Sequence, residues 1–85
     1  MIFFKLNIMD RHLFLAAPWE EADSKSATLS VFYDINTGHY ECEIGNQFAT
    51  TIKLNENKEW IDAETGQPSE FARKAGLLID KRLAE

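Results

Sequence analysis

The chain has 85 residues, 45% of them hydrophobic and 27% charged, with nine Lys and Arg against fourteen Asp and Glu for a net charge of −5. That composition supports one core and a single domain over residues 1–85, and excludes a dinucleotide fold, a second domain or global disorder. The cations are scattered and outnumbered, whereas nucleic-acid binding rests on clustered Lys and Arg, so no nucleic-acid partner is expected.

Ile2, Phe4, Leu6 and Ile8 alternate with Phe3, Lys5 and Asn7, the period-two signature of a strand with one buried face. A hairpin through Asp10-Arg11 that pairs Met9 with His12 sets Ile8 against Leu13 and Leu6 against Leu15, which turns Phe14 away from the core. Pro18, lacking an N–H, is read as the end of this second strand, and residues 19–27 as irregular, with room for one helical turn. Leu29, Val31 and Tyr33 form a third strand, and Tyr40, Cys42 and Ile44 a fourth. Between them, a loop over residues 35–38 pairs Asp34 with His39, Tyr33 with Tyr40, Val31 with Cys42 and Leu29 with Ile44. A shift of one would set Val31 against Glu43, so parity selects this register, with Gly38 supplying a positive φ.

Phe48, Thr50, Ile52 and Leu54 make a fifth strand after Gly45-Asn46. A two-residue turn there would put Phe48 opposite Glu43 on the polar face, so a three-residue loop or a bulge is expected. Residues 55–58 are a turn leading into a short strand at Trp60-Ile61. Pro68-Ser69-Glu70 opens a helix over residues 69–84, whose apolar face carries Phe71, Ala72, Ala75, Gly76, Leu78, Ile79 and Leu83. The expected fold is α+β: a mostly antiparallel sheet of five or six strands within residues 2–62, with the C-terminal helix packed on one face. Trp60 and Phe71 are expected to meet at the helix's first turn.

Chemistry-bearing patterns are few. His39 and Cys42 are three apart in a strand and so point to opposite faces, which leaves Cys42 as a core residue. His39, Glu41 and Glu43 share a face and, with His12, include metal-ligating types, although a same-face spacing near 7 Å stretches a tetrahedral site. Asp34-x-Asn36-x-Gly38 and Asp62-x-Glu64-x-Gly66 lack the closing Glu of a calcium loop and read as turns. Nucleophile elbows, phosphate-binding glycine loops and zinc-peptidase motifs are absent, so neither an enzyme nor a cofactor is expected. A lone Cys suits a reducing, cytoplasmic compartment, and the longest apolar run, five residues, is too short to span a membrane.

Ile52-x-Leu54, Trp60, Pro68-x-x-Phe71 and Gly76-x-x-Ile79 together resemble small uncharacterised bacterial proteins built as a strand meander closed by a C-terminal helix. The resemblance spans about residues 28–84, implies a fold, and brings no assigned activity or functional residue. The functional expectation is a non-enzymatic cytoplasmic protein-interaction module that binds a protein partner or a second copy. Its candidate surface is Phe3, Phe14 and Phe32, on the face the helix does not cover, with Trp19 beside them and Leu77 as a lesser candidate; the alternative is that the sheet curls or that Trp19 and its loop fold over these rings. The alternative is a small-ligand or metal-binding domain using His39, Glu41 and Glu43, or a pocket under Trp19 and Trp60.

Overall fold

A computed structural model describes residues 11–20 and 26–85. Five strands, β1 (Arg11–Glu20), β2 (Ser26–Asp34), β3 (Tyr40–Ile44), β4 (Gln47–Leu54) and β5 (Trp60–Asp62), precede one helix, α1 (Glu70–Leu83). The strands form an antiparallel open sheet in chain order, a meander in which each strand pairs with the next. The α+β architecture agrees with the expectation; the strand read over residues 2–8 and its hairpin lie outside the described residues.

The β2–β3 turn has the register that parity selects, Tyr33 to Tyr40, Val31 to Cys42 and Leu29 to Ile44. Asp34 N–H donates to the His39 carbonyl at 3.0 Å and Gly38 N–H to the Asp34 carbonyl at 2.8 Å, with Gly38 at φ +76. The β3–β4 connection is the two-residue Gly45-Asn46 turn, with φ of 58 and 70, values that suit the twist of a tight hairpin. Phe48 therefore does sit opposite Glu43, and the expected bulge follows it, with Ala49 as the extra residue before Thr50 pairs Cys42. Phe48 is left 58% exposed, while Thr50 and Ile52 turn inward and are buried.

Two readings of the first described strand are corrected. Strand β1 continues through Pro18 to Glu20 and β2 begins at Ser26, so residues 19, 20, 26 and 27 of the stretch read as irregular are strand. A bulge between Leu13 and Leu15 also changes the faces: Leu13 pairs Phe32 on the outer face and is 59% exposed, whereas Phe14 and Leu15 both pack against the core. Two consecutive residues on one side are what a bulge permits and strict alternation forbids.

Ser69 caps α1, its Oγ accepting from Ala72 N–H at 3.0 Å, with Glu70 in the first turn and Lys81 and Arg82 in the last, as the helix dipole favours. Ala72, Ala75 and Ile79 close the core over Leu29, Val31, Cys42 and Ile52. Phe71 and Trp60 do not stack on each other as expected. Phe71 stacks on Trp19, with ring centroids 5.0 Å apart, and Trp60 lies against Gly76, about one and a half helical turns further on.

Placing a Cβ at Gly38, where φ is +76, forces an L side chain into the left-handed region. We expect Gly38→Ala to cost about 1 to 2 kcal/mol, read as a shift of the urea midpoint without a change in slope; an unshifted midpoint would contradict the turn.

Candidate docking surfaces

On the sheet face away from α1, the Arg11 side chain crosses β2. Its guanidinium lies 4.2 Å above the centre of the Phe32 ring and meets Glu41 at 2.5 Å and Glu43 at 3.4 Å. The Glu41 hydrogen bond is the leading reason its pKa rises above the ordinary value, while partial burial opposes the rise. Both carboxylates proposed for a metal site are thus engaged by a cation. Among the described residues no group of three or more His, Cys, Asp and Glu side chains comes together in a form that could hold a metal ion.

The other acidic groups with defined partners organise the chain. Asp62 accepts from Thr50 Oγ1 at 2.8 Å and from the Glu64 and Thr65 amides, and the Thr50 bond does most to hold its carboxyl below the usual range. Asp34 accepts from Asn36 N–H at 2.9 Å, and Asp80 from Trp60 Nε1 at 3.1 Å. Both pseudo-calcium sequences are therefore turns held by their first aspartate.

The expected aromatic surface does not assemble. Phe14 sits on the helix side, edge-on to Tyr40 with centroids 5.4 Å apart, and Phe32 lies on the opposite face under Arg11. Trp19 is on the helix side, between Phe71 and Lys74, whose Nζ is 4.9 Å from the ring centre. Phe3 lies outside the described residues. Trp19 and Trp60 do not share a pocket: they line separate depressions.

Two other surfaces stand out. At one end of the sheet, Tyr33, Tyr40 and Trp60 form a chain of touching rings, with centroids 5.1 and 5.6 Å apart, flooring an open cleft of about 420 Å³ rimmed by Leu54 and Leu83. The rings already contact one another, which leaves no space for a ligand sandwiched between them. Along the other side, a groove runs between β1 and α1 as two depressions of about 300 and 190 Å³. Trp19, Leu15 and Ala17 contribute from the strand, and Lys74, Leu77, Leu78 and Lys81 from the helix. The four helix residues follow i, i+3, i+4, i+7 spacing, the periodicity of one helix face, a signal the sequence contained. Leu77, the lesser candidate, lines this groove and is 58% exposed.

The chain matches no protein-family model, no curated protein and no solved structure. None of its described helices is long and apolar enough to cross a membrane.

Cys42 is fully buried, and burial pushes its thiol from 9.0 up to about 12. The folded state keeps this proton while the unfolded chain loses it, so the contribution to stability is complete below pH 9 and declines as pH climbs towards 12. We expect a thiol-reactive disulfide reagent at pH 8 to label the native protein only at its rate of opening, and to label at once in denaturant; immediate native labelling would contradict the burial.

Proposed function

We propose that the chain is a non-enzymatic protein-interaction module of a reducing, cytoplasmic compartment. The observation that carries this reading is the groove between β1 and α1, where exposed Leu77 and the face of Trp19 lie beside a ten-residue strand that pairs on one side only among the described residues. Aromatic and aliphatic side chains beside a polar rim are the usual make-up of an interface centre. The described acidic groups with defined partners serve turns, ion pairs or, for Asp80, the Trp60 indole, and the one thiol is buried and protonated. That supports binding over catalysis. A metal at His39, Glu41 and Glu43 would have to displace the Arg11 guanidinium from both carboxylates.

The test is a photo-crosslinking residue at position 77 in the full chain, irradiated in its own host, with the same residue at Glu56 on the exposed β4–β5 turn as the control. A discrete heavier adduct from position 77 alone is the expected result. Identical patterns from both positions would contradict a docking surface in the groove. Excess zinc should leave the melting temperature unchanged, whereas a rise would favour the metal-binding alternative.

A further inference from the structure

The two signs of charge are segregated along this chain. Helix α1 holds four of its nine Lys and Arg (Arg73, Lys74, Lys81 and Arg82) and only two of its fourteen Asp and Glu, so it carries +2 while the remaining residues carry −7. Arg73, Lys74, Leu77 and Lys81 are exposed and fall at i, i+1, i+4 and i+8, on the side of the helix opposite Ala72, Ala75 and Ile79. That side looks away from the sheet, so it does not depend on what lies along the outer edge of β1.

Helix stability accounts for part of this placement. Lys81 and Arg82 suit the negative end of the helix dipole, and the Arg73–Glu70 pair at 2.8 Å is an exposed contact of the kind worth little. Neither accounts for Leu77, which is 58% exposed with Lys74 one turn before it and Lys81 one turn after. Neither lysine makes an ion pair among the described residues: Lys74 Nζ lies 4.9 Å from the centre of the Trp19 ring, and it is Arg82, next to Lys81, that takes Glu85 at 3.4 Å. The two lysines stand about 10 Å apart along the helix axis, with the leucine between them.

We propose, resting on the interaction-module reading, that the solvent-facing side of α1 around Leu77 receives an acidic segment of a partner protein. Its carboxylates meet Lys74 and Lys81, and an apolar side chain between them covers Leu77. Charge selects this occupant. The patch is cationic on an otherwise anionic molecule, and it is bordered by Glu70, one turn before Lys74, and by Asp80, on the flank toward Trp60. A short acidic segment is therefore attracted only where it lies over the two lysines. A nucleic acid or an anionic membrane is an extended polyanion and would also face the −7 of the remainder. A second copy fits less well, because a twofold axis through this side sets each helix's lysines against the other's.

The test is an NMR titration of the isotope-labelled full chain with a capped peptide of about ten residues, Glu throughout except for two central leucines, and with a counterpart bearing Lys for each Glu. The Glu peptide should shift the amides of α1 around Leu77 saturably, and the Lys peptide should leave them in place. Raising the salt from about 0.05 to about 0.5 M should weaken the Glu peptide about tenfold. Lys81→Glu should keep the parent's spectrum outside the helix and bind the Glu peptide at least about tenfold more weakly, with Lys81→Gln between the two. Equal binding of both peptides, unchanged binding by Lys81→Glu, shifts that map away from α1, or no binding of the Glu peptide would overturn the proposal. So would phosphatidylserine vesicles that shift these amides when the peptide does not, which would assign the surface to a membrane. Shifts of the same amides on dilution of the parent alone would assign it to a second copy and overturn the proposal as well. If the crosslinks from position 77 survive such a result, the module reading stands and only this occupant falls.

Discussion

The contact on which the arrangement depends is the Trp60 indole lying against the backbone of α1 at Gly76. A Cβ at position 76 would fall 2.2 to 2.6 Å from three atoms of that ring, so only glycine lets the helix come this close. The indole N–H donates to Asp80 one turn further along, which orients the ring. Tyr40 meets its edge, with centroids 5.6 Å apart, and Phe14 meets Tyr40 in turn. A line of aromatic rings thus runs from the short last strand back to the first, beneath one end of the helix. Ala72, Ala75 and Ile79 settle onto Leu29, Val31, Cys42 and Ile52 because this contact sets the height of α1 above the sheet.

That placement also decides which surfaces are left over. One helix covers one face of a five-stranded sheet. On the uncovered face the Arg11 side chain lies over Phe32 and joins Glu41 and Glu43, which partly buries all four residues. At the β5 edge only three residues are exposed to pairing, too few to template another chain. At the β1 edge ten residues run beside a helix flank that carries Leu77 and Lys81. Among the described residues the two sheet edges therefore differ, a three-residue strand at one and a ten-residue strand beside the helix flank at the other, and the functional reading draws on that flank.

Much of this was legible in the residues, for physical reasons that differ by element. The β2–β3 turn could be read because only one register sets apolar residues opposite apolar ones. The helix could be read because its start signal, its apolar face and its glycine agreed. The first strand could not, since a bulge at Phe14 inverts the alternation on which the reading rests, and nothing in Leu13-Phe14-Leu15 marks which residue is extra. Pro18 misled because its cost to a ladder depends on which way its nitrogen points, and that follows from the neighbouring strand. Phe48 was assigned inward by its place in an alternating run, yet the Gly45-Asn46 turn decided its face before the bulge at Ala49 restored the alternation. The groove by β1 was missed for a simpler reason: its two walls come from opposite ends of the chain, and only packing brings them together.

The most direct measurement is a double-mutant cycle on Gly76 and Trp60, followed by urea unfolding. In the parent, Gly76→Ala should lose about 1 kcal/mol or more, because overpacking costs about 1 to 3 kcal/mol and outweighs the gain in helix propensity. In the Trp60→Ala background the ring is gone, and the same substitution should gain up to about 1 kcal/mol, as alanine does over glycine within a helix. Such a change of sign is the coupling the account requires. An effect of the same sign and size in both backgrounds would show that the helix does not rest on the indole.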